Sequence, residues 1–148
     1  MTNSVLYAPC MKFEKTHPGA QLPKKNFPSD SGWDLFAVEN TIIPANNKAI
    51  VPVGLKLAYL EDGYWLSVES RSGLSFKSGI LAHPGVIDQN YRGDLGVLLY
   101  NHSNIDYTVA KGERIAQLVL HYNIQINVDW GNVQQTDRGE KGFGSSGK

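Results

Sequence analysis

Glu61-Asp62-Gly63-Tyr64-Trp65-Leu66-Ser67-Val68-Glu69 is the stretch on which the fold turns. Asp62 and Gly63 are turn formers, and a run of strand character follows them. Within it Trp65, Ser67 and Glu69 alternate with Leu66 and Val68, the period of two that puts one set on each face of a strand. Glu61-Asp62-Gly63 is therefore expected as a hairpin turn. Working outward, the same grammar repeats: Thr41 to Ile43, Ala49 to Ala58, Leu95 to Asn101, Asp106 to Ala110 and Ile115 to Tyr122 are rich in β-branched, aromatic and apolar residues. Lys111-Gly112-Glu113 is a second expected hairpin turn. The one helical window is Ser72 to Ser78, and it is short. Short strands with regular turns predict an all-β chain, a jelly-roll-like barrel or sandwich with a single short helix.

At 148 residues, with 41% apolar and 19% charged side chains, the chain has the size and composition of one globular domain. No linker or repeat divides it. Residues 134–148 change character, becoming rich in glycine, serine and charge. They are expected to form a flexible C-terminal arm on a β-domain spanning residues 1–133. Lysine and arginine total 14, as do aspartate and glutamate, so neither a nucleic-acid coat nor a polybasic membrane surface is expected. A single cysteine, Cys10, allows no intrachain disulfide. No apolar run approaches the roughly 20 residues of a membrane span, and no signal segment is evident, so a cytoplasmic or other intracellular location is expected. His17, His83, His102 and His121 are scattered, without metal-site spacing.

Gly142-Phe143-Gly144-Ser145-Ser146-Gly147 fits the dinucleotide pattern G-x-G-x-x-G, and Gly142 to Lys148 fits the start of a P-loop. Both motifs need a preceding strand and a following helix, and neither is in place. The composition still suits a nucleotide. Glycine lets main-chain N–H groups close on an anion, Ser145 and Ser146 add hydroxyls, Arg138 adds a planar fork, and Phe143 can stack on a base.

Four internal segments share this chemistry: Ser31-Gly32-Trp33-Asp34-Leu35, Arg71-Ser72-Gly73-Leu74-Ser75, Gly85-Val86-Ile87-Asp88-Gln89-Asn90-Tyr91-Arg92-Gly93, and Gly112-Glu113-Arg114-Ile115-Ala116-Gln117-Leu118. With the arm segment Arg138 to Gly147, and in this order, they resemble the five motifs of the trimeric dUTPase family. That resemblance implies hydrolysis of dUTP to dUMP and pyrophosphate, which keeps uracil out of DNA and supplies dUMP for dTMP synthesis. It implies Asp88 as general base and Tyr91 beneath the deoxyribose, where a flat ring leaves no room for a 2′-hydroxyl. Ile87 is expected against the sugar, and main-chain groups of Ala82 to Val86, with Gly85 among them, against the uracil edge. Arg71, Ser72, Gly73 and Gln117 are expected on the phosphates. Arg138, Phe143, Gly144, Ser145 and Ser146 are expected to close over the bound nucleotide. Mg²⁺ is the implied cofactor, carried mainly on substrate phosphates, with Asp34 supporting it through water. The resemblance also implies a homotrimer whose sites lie between subunits.

The match departs from the family pattern at Ser70, where proline is usual, and at Lys141, where a second glycine is usual. Two rivals share parts of these motifs: a dCTP deaminase, and a non-enzymatic protein that binds dUTP without turnover. The aspartate in the Tyr91 hairpin and the complete glycine-rich arm favour the pyrophosphatase.

Overall fold

The computed structural model describes residues 8–144. Among them ten strands and one helix are formed: β1 (Met11–Lys15), β2 (Gly32–Phe36), β3 (Thr41–Ile43), β4 (Lys48–Leu60), β5 (Tyr64–Glu69), α1 (Ser72–Ser78), β6 (Ile80–Ala82), β7 (Gly85–Ile87), β8 (Asp94–Asn101), β9 (Tyr107–Val109) and β10 (Arg114–Tyr122). The first sheet runs β1-β4-β8-β6 and the second β2-β10-β5-β7, with β3-β9 as a two-stranded ribbon. Every strand pair is antiparallel. The expected all-β class with one short helix is what forms, and the expected runs become β3, β4, β5, β8, β9 and β10.

The alternation read in Tyr64–Glu69 holds: Leu66 and Val68 enter the core at 0% and 8% exposure. They meet Leu35, Leu118 and Ile115 from their own sheet and Val51, Val53, Leu55, Leu57, Val97 and Leu99 from the other, in one continuous cluster. Burying each such side chain contributes about 1.5–3 kcal/mol, so this shared interior is what holds the sheets together.

Both turns expected to close hairpins do something else. The strands either side of Glu61-Asp62-Gly63, β4 and β5, belong to different sheets. So do β9 and β10, which flank Lys111-Gly112-Glu113. Each turn is a corner that carries the chain from one sheet to another. Gly63 and Gly112 supply the left-handed backbone the corners need, with φ of 87° and 85°. Local composition specifies a reversal, but the partner of each strand is chosen by distant residues.

Long β4 lies inside its sheet yet contains Pro52, which has no N–H for the ladder. The register to β8 shifts between Pro52 and Leu55, and Gly54 there has φ of 67°. The proline is thus accommodated at a bulge. At the other end, β10 finishes at Tyr122, and residues 123–135 continue without regular structure.

Candidate active site

In the second sheet Gln117 pairs with Asp34 on one side and Glu69 on the other. Directly paired residues share a face. Because Leu35, Leu118 and Val68 point into the core, this row lies on the outer face. Asp34 is only 9% exposed. Its Oδ1 accepts a 2.9 Å hydrogen bond from Arg71 Nε, and its Oδ2 lies 3.8 Å from Arg114 Nη1. A buried carboxylate needs such partners, and two guanidinium groups offset its charge here.

Arg71 ends the extended approach from β5 and occupies the N-cap of α1, with φ of −91° and ψ of 132°. No side chain caps this helix. Its first-turn N–H groups therefore have no side-chain acceptor and suit an anionic ligand. An added Cβ at Gly73 would meet nothing within 4 Å, so the folded chain leaves open space beside that backbone.

Gln117 Nε2 donates to the Ser70 carbonyl at 2.9 Å. Its side chain lies across Gly32, where any Cβ would come within 2.0 Å of Gln117 Oε1. Asn26, Ser31, Gly32, Asp34, Arg71, Ser72 and Gln117 together line a polar cleft of about 250 Å³. The first, second and fourth expected motifs thus meet in one place. A hollow of about 550 Å³ lies on the opposite sheet between Ile50, Pro52 and Leu98, and none of the expected residues lines it.

The third motif is elsewhere. β7 pairs with β5 through Gly85 against Val68, Val86 against Ser67 and Ile87 against Leu66. Ile87 faces inward at 6% exposure and is part of the core. Asp88 follows it, exposed, at the start of a turn in which the Tyr91 N–H donates to the Asp88 carbonyl at 3.0 Å. The Tyr91 ring lies over Gly93, and its hydroxyl donates to the Asp94 carbonyl at 3.2 Å. Two N–H groups expected at the uracil edge already have partners: Ala82 N–H donates to Ser70 Oγ, and His83 N–H to the Leu98 carbonyl.

Asp88 and Arg71 are held apart by the sheet itself. β7 is one edge, while Arg71 reaches towards Asp34 on β2, the other edge, with β10 and β5 between. Along the strand direction, Asp88 extends past Leu66 whereas Arg71 lies beyond Glu69. At about 3.3 Å per residue, that is roughly 15 Å or more.

The described part of the arm bonds within itself. Arg138 Nε donates to the Lys141 carbonyl at 2.7 Å, and Phe143 is fully exposed with φ of 50°. Ser145 and Ser146 lie outside the described residues. Ahead of this segment Tyr122, Ile124, Ile126, Val128 and Trp130 are 73–99% exposed. That period-two apolar stripe has the pattern of a strand awaiting a surface.

Residues 19–147 match the dUTPase family model. The chain belongs to the dUTPase family. It is 40% identical over 141 residues to a deoxyuridine 5'-triphosphate nucleotidohydrolase of Oryza sativa subsp. japonica, covering 95% of this chain and 82% of that one. It is 41% identical to the protein of that name from Helicobacter hepaticus, covering 93% and 88%. Among solved structures, the Staphylococcus bacteriophage 80alpha dUTPase with dUpNHpp superposes with a TM-score of 0.85 at 27% identity, covering 94% of this chain and 99% of that one. A phage phi11 dUTPase, described with a structural Mg(II) ion, shares the fold at 21% identity and a TM-score of 0.75, covering 86% and 99%. These likenesses also bear out the jelly-roll expectation.

Asn26, which accepts from Arg114 Nη1 at 3.3 Å, and Asp30 line the cleft from outside the expected segments, and within them Gly32 and Ser70 take structural parts that the sequence did not assign, Gly32 making room for Gln117 and Ser70 accepting from its amide. Gly32 carried a signal, since a glycine inside a strand marks a close approach. Asn26 carried none.

Proposed function

We propose that this chain hydrolyses dUTP to dUMP and pyrophosphate at sites assembled between copies of itself in a homotrimer. Family membership, with 40% identity across 95% of the chain, carries the reaction. The separation of Asp88 from Arg71 supports the shared site. In the proposed arrangement, one copy presents the polar cleft to the phosphates. A second copy presents the Asp88–Tyr91 turn to the sugar and the attacked phosphorus. The arm, extended and apolar on alternate residues, reaches a neighbouring copy, with Phe143 over uracil and Arg138 near the terminal phosphates.

Asp88 orients a water molecule and takes its proton. The water oxygen bonds to the α-phosphorus, the bridging bond to the β-phosphate breaks, and pyrophosphate leaves. Arg71 and the uncapped first turn of α1 oppose the negative charge, so positioning and charge stabilisation supply most of the rate. Among the described residues no group of three or more His, Cys, Asp or Glu side chains could hold a metal ion. Asp34 is already offset by two guanidinium groups and gains little by direct contact with a cation. Mg²⁺ is therefore proposed to arrive on the triphosphate as part of the substrate, with Asp34 reaching it through water.

Pyrophosphate release from dUTP with Mg²⁺, measured beside dCTP, dTTP and UTP, tests the reaction. Release from dUTP alone is expected. Ammonia release from dCTP, or dUTP binding without turnover, would overturn it.

A further inference from the structure

Ser70 stands between β5 and Arg71, and its hydrogen bonds lead in two directions. Its hydroxyl oxygen accepts from the Ala82 N–H at 2.8 Å, and the same hydroxyl is 3.4 Å from the Ala82 carbonyl, to which it donates. Its own carbonyl accepts from Gln117 Nε2 at 2.9 Å. Ala82 ends β6, an edge strand of the first sheet; three residues later β7 begins at the edge of the second. One hydroxyl thus engages both main-chain groups of an edge residue that is 7% exposed, where an unpartnered group is unfavourable. The contact pins the two sheets together where the chain crosses between them.

We propose that Ser70 is a positioning residue for substrate binding: its hydroxyl fixes the crossing that aims β7 and the Asp88–Tyr91 turn, while its carbonyl fixes Gln117 in the phosphate cleft. The functional part rests on the reading of these two segments as substrate-binding. If sites are shared between copies, the cleft and the turn of one chain serve two neighbouring sites, and Ser70 joins them.

The test compares Ser70→Ala, which removes the hydroxyl, with Ser70→Thr, which keeps it. Three measurements are made on the full chain: dUTP kinetics giving KM and kcat, affinity for dUpNHpp, and hydrogen exchange at the Ala82 amide. Ser70→Ala is expected to raise KM about tenfold, with a smaller effect on kcat, and to weaken dUpNHpp binding in parallel. It is also expected to accelerate exchange at Ala82, with Ser70→Thr restoring all three. Wild-type KM and dUpNHpp affinity in Ser70→Ala would overturn the proposal, as would a Ser70→Thr protein no better than Ser70→Ala. If the wild type does not turn over dUTP, the proposed reaction fails separately. Exchange and dUpNHpp affinity still decide the role of Ser70, and unchanged values in Ser70→Ala reject it.

Discussion

Gln117 would ordinarily be read as a solvent-facing strand residue. It instead lies over Gly32 and reaches the Ser70 carbonyl, so its amide is held at the edge of the polar cleft. A Gly32→Ala substitution places a methyl group where Gln117 Oε1 now stands. The side chain must then leave, and dUTP affinity is expected to fall roughly tenfold with the fold retained. An unchanged KM would show that Gln117 is not a substrate contact. Asp88 poses a different question, because it is exposed and its turn would form with or without catalysis. Asp88→Asn keeps the shape and removes the base. It is expected to lower kcat by about 10²–10⁴ while dUpNHpp binds as before. Near-full turnover would remove Asp88 from its role.

At the level of elements, legibility followed periodicity. β4, β5, β8, β9 and β10 were readable because apolar residues recur in long or strictly alternating runs. Helix α1 was readable to its ends, and its left-handed C-cap is Gly79. β1 and β2 were not, since Met11–Lys15 carries three charges in five residues and Gly32–Phe36 holds a glycine and an aspartate. β6 and β7 are no shorter than β3 and β9, but Gly79, Pro84 and Gly85 break the run around them. Pairing was hidden altogether, because two good turn sequences proved to be corners between sheets. One corner also sets a pH limit. The Tyr107 hydroxyl on β9 donates to Glu113 in the turn before β10, and burial, then Glu113, pushes its pKa from 10.0 up to about 12. The native state therefore holds this proton more tightly than the unfolded chain. The resulting stability is complete below pH 10 and is lost as pH rises towards 12. Tyr59, raised chiefly by Glu61, and Tyr64, raised by burial, act in the same direction. Urea midpoints at pH 8 and pH 11 should thus diverge less in Tyr107→Phe than in the wild type; an equal divergence would acquit Tyr107.

On the scale of the whole molecule, the five motifs identified the family, but their order along the chain says nothing about which copies share a site. The sheet order β2-β10-β5-β7 bears on the proposed sharing, because it places the polar cleft and the Asp88 turn at opposite edges. The exposed stripe from Ile124 to Trp130 points the same way, because those side chains are 80–99% exposed in the single chain. The most direct test is to mix two variants, Asp88→Asn and Arg71→Ala, each expected to be nearly inactive, under conditions that exchange subunits. In mixed trimers some sites draw an intact Arg71 from one copy and an intact Asp88 from another. Activity is then expected to rise to about a quarter of the wild-type value for an equal, random mixture. Activity that stays at the sum of the two parents, although mixed oligomers have formed, would place Asp88 and Arg71 in the same site of a single chain and contradict the account.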